Sequence, residues 1–261
     1  MMNDIFLSAV VPAFNEAVGI RRCLEETVQA LEELGFSYEV ILVDDGSQDD
    51  TRARARETAR NLPHVRLIET GTNLGKGAAL VRGTEAARGE LVLFMDADLE
   101  VHPRQVALLH KTLIDESADV VIGSKLHPDS SIDYPRRRRV LSLGYYLLVR
   151  VLFGLPVRDT QTGLKLFRAE ALREVVPRLL VKRFAQDLEA LVALQRVGYR
   201  IVEAPVIVTR ERAYPRIGRS DVRSIAQDTA AIWYRTYIRH WYDRPPGRIE
   251  AAPASERGRA S

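Results

Sequence analysis

The chain has one cysteine among 261 residues, Cys23. No internal disulfide can form and no zinc-ligand spacing exists, so Cys23 is predicted to sit in a helix with no catalytic part. The N-terminus shows no basic region leading into a long apolar core, so no signal peptide is expected. Nowhere do about 20 apolar residues run uninterrupted, which argues against an ordinary membrane span. The nearest candidate, residues 140–157, is broken by Arg150 and contains Gly144, Gly154 and Pro156. The spacing of a Walker phosphate loop is missing. There is no internal repeat, and the basic residues are not interleaved with aromatics in a nucleic-acid motif, so no nucleic-acid partner is expected.

What is present suffices for a full core. Hydrophobic residues make up 46% of the chain, and an α/β domain of this length commonly folds as one unit. The net charge is only +3, but its distribution is uneven. Acids gather at 44–50 and 96–100 and bases at 136–139 and 208–244, which points to an anionic partner surface.

Taken in order, strands alternate with helices. Residues 6–11 form a short β-branched run that stops at Pro12, and 16–34 carry Ile20, Leu24, Val28 and Leu31 at helical spacing. A strand at 38–43, a helix at 49–61, a strand at 65–69, a helix at 78–87 and a strand at 91–95 follow. Further on, helices are predicted at 103–116, 169–180, 184–197 and 220–242, with strands at 119–122, 164–167 and within 199–208. This alternation predicts a mostly parallel sheet covered on both faces, with ligands at the carboxyl ends of the strands. The polar motifs Asn15 and Glu16, Asp44 and Asp45, Lys76, then Asp96 and Asp98 all fall at such ends. Independent surface loops would scatter these charges.

The run Asp96-Ala97-Asp98-Leu99-Glu100 closes the fourth strand. If strand geometry persisted, its three acids would point to one side together. An isolated Asp-X-Asp is more often a solvated loop. Clustered carboxylates at a strand end instead suit a hard cation, Mg²⁺ or Mn²⁺, that also touches a phosphate-bearing substrate.

Four motifs in this order and spacing, Pro12-Ala13-Phe14-Asn15-Glu16, Asp44-Asp45-Gly46-Ser47, Asn73-Leu74-Gly75-Lys76-Gly77 and Asp96-Ala97-Asp98, resemble the inverting family-2 glycosyltransferases of GT-A fold. The resemblance covers roughly residues 6–240. Gly123-Ser124-Lys125, the stretch 158–167 and Phe184-Ala185-Gln186-Asp187-Leu188-Glu189 look like the polyprenyl-phosphate (dolichyl-phosphate) hexosyltransferases. The stretch 158–167 is closest to the glucosyl type, the first half equally like the mannosyl type.

The resemblance implies transfer of mannose or glucose, from GDP-mannose or UDP-glucose, to a polyprenyl phosphate. Pro12, Ala13, Asn15, Glu16, Asp44, Asp45, Lys76 and Ala97 would hold the donor. Asp96 and Asp98, with Glu100 as a third, would hold the metal. Lys125, Arg212, Arg216 and Arg219 would meet the acceptor phosphate; the family's Gly-x-Ser-Lys reads here Gly218-Arg219-Ser220-Asp221, with an acid in the last place. Asp159, Gln161 and Asp187 would line the reacting sugar. An acceptor phosphate is already ionised and needs no general base, so Asp187 would orient rather than deprotonate; Glu189 is expected to be structural.

Arginines 136–139 ahead of an apolar stretch, and the aromatics Trp233, Tyr234, Tyr237, Trp241 and Tyr242 among arginines, suit a lipid headgroup layer. The expected division is a catalytic domain at 1–219, an amphipathic interfacial helix at 220–244 and a disordered tail at 245–261. The expected location is the cytoplasmic face of a membrane, as a peripheral protein, with an integral membrane partner as an open alternative. Two other readings remain: a family-2 transferase with a hydroxyl acceptor, which needs Asp187 as a true base, and a catalytically silent membrane-associated module.

Overall fold

The structure, a computed structural model, describes residues 5–131, 136–183, 185–208 and 219–243, with backbone alone for 136–141 and 219–222. The first half alternates β1 (Leu7–Ala13), α1 (Ile20–Leu34), β2 (Tyr38–Asp44), α2 (Thr51–Ala59), β3 (Val65–Glu69), α3 (Lys76–Ala86) and β4 (Leu91–Phe94). A 3₁₀ turn, Pro103–Gln105, then leads into α4 (Val106–Asp115), β5 (Val120–Ser124), α5 (Arg136–Phe153), β6 (Lys165–Arg168) and α6 (Ala169–Val175). The remaining elements are α7 (Gln186–Val197), β7 (Ile201–Pro205) and α8 (Arg219–Tyr237).

The strands form one sheet in the order β3-β2-β1-β4-β6-β5-β7. All pairs are parallel except those of β6, which runs against both β4 and β5. The chain winds outward from β1 to β3 and then returns to the other side of β1 as β4. That reversal of direction opens a crevice at the carboxyl ends of β1 and β4, where α/β sheets bind ligands.

A core lies on each face. One gathers Ile20, Cys23, Leu24, Val28 and Leu31 of α1 with Leu109 and Leu113 of α4. The other joins Leu80 of α3 and Leu172 of α6 to Leu188, Leu191 and Leu194 of α7 and Ile232 of α8. The helical spacing of Ile20, Leu24, Val28 and Leu31 thus does what it predicts. Each fully buried side chain of this kind contributes roughly 1.5–3 kcal/mol.

The first strand does not stop at Pro12 but runs to Ala13. Pairing with β4 covers only Leu7 to Val10, and Met95 donates its N–H to the Val10 carbonyl as β4 ends. Backbone groups alternate in direction along a strand, so the nitrogen of Pro12 points the same way as that of Val10, past the end of β4. The missing donor costs no ladder bond there.

Lys76 likewise belongs to the first turn of α3 rather than to the loop before it. Arg212, Arg216, the Gly218 end of the basic loop and the tail 245–261 lie outside the described residues.

Candidate active site

The loops leaving β1 and β2 hold each other. Asn15, with φ of 56°, donates its N–H to Ser47 Oγ (3.0 Å), and its side-chain oxygen accepts from the Gln48 N–H (2.8 Å). Glu16 donates its N–H to Thr51 Oγ1 (2.7 Å). Asp44 is fully buried and paired with Arg52 (3.0 Å). Asp45, also buried, accepts from the N–H groups of Leu74 (2.9 Å) and Gly75 (2.8 Å). The two aspartates therefore act as brackets: one fixes α2, the other fixes the turn ahead of Lys76. Of the residues expected at the donor, Asn15 is exposed, Pro12 and Glu16 are half-buried, and Ala13, Asp44, Asp45 and Ala97 are buried.

At the end of β4 the backbone leaves strand geometry after Phe94, and Leu99 takes φ of 58°. Asp96, Asp98 and Glu100 are brought together by this turn rather than by strand alternation, and they line one small pocket with Gly163 and Leu164. Lys76 Nζ lies 2.6 Å from Asp96 and 3.9 Å from Asp187. Burial alone would pull the Lys76 ammonium down, but Asp96 and Asp187 outweigh it and hold its pKa above the ordinary lysine value. Burial likewise works against ionised Asp96, yet the charges of Lys76, Lys165 and Lys125 keep its carboxyl below the usual range. Asp98 goes the other way. Burial first, then the negative charge of Asp96, push it up.

Glu100, expected as a third metal ligand, is engaged by Lys125 at 2.5 Å. Lys125 is itself largely covered, and a half-buried ammonium needs a counter-charge. Among the described residues no three His, Cys, Asp or Glu side chains already stand as a metal cage. The oxygen groups nevertheless fit a hard dication: burial and then the acidic neighbours disfavour the ionised form of Asp98, and added positive charge there would relieve it.

The other wall comes from the 158–165 segment and α7. Glu203 of β7 accepts from the N–H groups of Arg158 (2.5 Å) and Asp159 (3.1 Å). Asp159 in turn accepts from the Lys125 N–H (3.0 Å), the Gln161 N–H (2.9 Å) and the Thr162 hydroxyl. Both oxygens of Asp159 thus shape the turn, and Gln161 projects exposed beside Thr160. Asp187, in the first turn of α7, is paired at 2.7 Å with Lys165, which is only 1% exposed and also donates to the Thr162 carbonyl. Lys165 lies within the stretch 158–167, where the resemblance implies no role for it. Its signal is a lysine set between Leu164 and Leu166 at the start of β6.

Gly163 was also passed over, and space decides it. A Cβ there would lie 2.2 Å from Asp96 Oδ2. Gly163→Ala is therefore expected to push the Asp96 carboxylate off Lys76, lowering transfer at least tenfold while far-UV circular dichroism stays unchanged. Steady-state rates of the two proteins check this.

Residues 8–176 match the family described as Glycosyl transferase family 2. The chain belongs to that family. Dolichyl-phosphate beta-glucosyltransferase ALG5A of Trichomonas vaginalis is 36% identical to the chain over 216 residues, 78% of the chain and 65% of that protein. The chain thus spans less than two thirds of its length. Dolichyl-phosphate beta-glucosyltransferase of Dictyostelium discoideum is 32% identical over 254 residues, 92% of the chain and 77% of that protein. Among solved structures, glucosyl-3-phosphoglycerate synthase from Mycobacterium tuberculosis, in complex with Mn²⁺, UDP-glucose and phosphoglyceric acid, superposes with a TM-score of 0.63. It is 21% identical and covers 93% of this family-2 chain, with 81% of its own chain matched. That likeness concerns the fold: the family-2 chain has the GT-A arrangement read from its motifs.

Proposed function

We propose that this family-2 chain transfers glucose, with inversion, from UDP-glucose to a polyprenyl phosphate of the dolichyl class. The observation that carries the reading is the lysine and carboxylate cluster Lys76, Asp96, Asp98, Lys165 and Asp187 at one edge of the sheet. Both curated relatives described above are named as dolichyl-phosphate beta-glucosyltransferases. Of the two sugars that the motifs allow, their names support glucose, and mannose has no such support.

Asp96 and Asp98 would hold Mg²⁺ or Mn²⁺, with Glu100 in reach. When bound, the ion supplies positive charge that neutralises the departing diphosphate. The chain's own residues do the rest. Lys76 adds an ammonium at the same edge. The ionised acceptor phosphate oxygen attacks the anomeric carbon as the bond to the diphosphate breaks, so no proton has to move. Asp187 lies between Lys165 and Lys76, a setting that fixes a carboxylate in place and does not leave it open to take a proton from a hydroxyl. That favours the phosphate acceptor over the hydroxyl one. Lys125 with Arg212, Arg216 and Arg219 remains the proposed acceptor-phosphate set.

The lipid acceptor also fits the outside of the molecule. On α5, Leu143, Leu147, Leu148 and Val151 are exposed, and so are Trp233, Tyr234 and Tyr237 on α8 and Ile238 just after it. Phe153 and Tyr237 stack at 6.5 Å and join the two helices. No helix among the described residues is long and apolar enough to cross a membrane. We place this face against the cytoplasmic leaflet, peripherally, since apolar and aromatic side chains beside arginines suit a headgroup layer.

The test is transfer of label from UDP-[¹⁴C]glucose, and separately from GDP-[¹⁴C]mannose, to polyprenyl phosphate. Label from UDP-glucose should reach the organic phase, disappear with EDTA and return with Mn²⁺ or Mg²⁺. Label from neither donor would remove the proposal; activity that persists in EDTA would remove the metal.

A further inference from the structure

We propose that Glu189 is a positioning residue that sets Lys76 from the far side of α7. The proposal rests on the transfer reaction only for its rate measurement. Glu189 is two residues beyond Asp187, about 200° around the helix, so the two acids leave the first turn of α7 in opposite directions. Asp187 reaches the lysines. Glu189, with no exposure at all, uses both of its oxygens twice.

Its Oε1 accepts from the Tyr242 hydroxyl (2.6 Å) and from Arg235 (2.8 Å). This arm braces the core, since Tyr242 is fully buried and Arg235 also donates to the Tyr242 hydroxyl (3.0 Å). The other oxygen, Oε2, accepts from the N–H groups of Leu180 (2.8 Å) and Val181 (2.7 Å). The segment held by this second arm touches the core only through Val181: Leu180 is 43% exposed, and Lys182 and Arg183 are exposed as well. A buried carboxylate is costly unless its hydrogen bonds are made, and here two of them go to a segment that is mostly exposed on either side of Val181.

The link to the site lies one residue on. The Lys182 carbonyl accepts from the Gly77 N–H (3.0 Å), one of the orphan donors of the first turn of α3. A Cβ on Gly75, whose φ is 99°, would lie 2.3 Å from the same carbonyl oxygen. Lys76 stands between these two glycines. The Lys182 carbonyl is therefore the stop against which the start of α3 is set, and Glu189 sets the stop. The line runs from Glu189 through Leu180 and Val181 to Lys182, Gly77 and Lys76, ending at Asp96.

The two arms separate in experiment. Glu189→Met keeps the length and removes the acceptors of both arms. Amide hydrogen exchange at Leu180, Val181 and Gly77 is expected to accelerate at least tenfold, with kcat lowered about tenfold and KM for UDP-glucose changed less than threefold. Tyr242→Phe removes the tyrosine hydroxyl from the bracing arm, leaves Arg235 on Oε1 and does not touch the second arm. It should lower the thermal midpoint while Gly77 exchange and kcat stay within twofold of the unaltered protein. Should Glu189→Met fail to fold, Leu180→Pro deletes one of the two amide donors, and the preceding Leu179 already has the extended backbone (φ −78°, ψ 129°) that a following proline requires. It should accelerate Gly77 exchange in the same way. Unchanged Gly77 exchange in the folded variant, or equal acceleration in Tyr242→Phe, overturns the proposal. The exchange measurement stands even if no glucosyl transfer is found, so failure of the reaction and failure of the positioning role are told apart.

Discussion

Asp98→Asn is expected to lower transfer by roughly 10²–10³-fold, the size of loss when one preorganised electrostatic group is taken from a catalytic site, without lowering stability. The second half of this expectation follows from the pKa direction. Burial and the neighbouring acid raise Asp98 above the ordinary aspartate value, so the ionised form is disfavoured in the folded state. A carboxyl raised on folding costs stability at every pH above its unfolded pKa, and that cost disappears once the group is neutral. Asparagine is neutral at all pH values and can keep the acceptor for the Glu100 N–H, now met at 3.0 Å. The thermal midpoint at pH 7.5 should be equal or higher, while Mn²⁺ binding measured by calorimetry is lost. Full activity of the variant with added Mg²⁺ or Mn²⁺ would falsify the assignment of Asp98 to the ion.

Asp187→Ala should behave in the opposite way and lose stability as well as activity. It strips Lys165, only 1% exposed, of its carboxylate and leaves a buried ammonium with the Thr162 carbonyl as its remaining hydrogen-bond partner. Breaking one side of a buried pair costs about 3–5 kcal/mol, whereas replacing both sides with apolar groups is often neutral. Asp187→Leu combined with Lys165→Met should therefore recover most of the denaturation midpoint and none of the transfer. Urea unfolding of the three proteins reads the first effect and the glucosyl assay the second. Recovery of transfer in the double variant would reduce Asp187 to a fold-stabilising group.

The strand-end argument carried most of what could be read from residues alone. Asp96, Lys76 and Asp187 are brought together in space as four short motifs and a helix start suggested, because polar residues closing apolar strands have one sheet edge to share. Three features escaped for physical reasons. Strand direction has no local signature, so the reversal of β6 was not visible, and with it the entry of Lys165 into the site. Burial of Asp44 and Asp45 depends on partners 8 to 30 residues away, Arg52 and the amides of Leu74 and Gly75. Glycine at 163 is set by the distance to a side chain far off in sequence, which no turn pattern encodes. The expected structural part for Glu189 was right as far as its bracing arm goes, but the second arm needs coordinates to be seen.

The reversed strand β6 also divides the site along the sequence. Asn15, Asp45, Lys76 and Asp96 come from consecutive β-α units whose strands pair with near neighbours. Gly163, Lys165 and Asp187 join them only when β6 inserts between β4 and β5, closing a loop that spans residues 95–164. Closing so long a loop carries an entropic cost before any contact repays it. The half of the crevice built from β1, β2 and β4 is thus complete in sequence before β6, and the Lys165–Asp187 pair is added after it, closing an edge that a nascent chain shorter than α7 cannot possess.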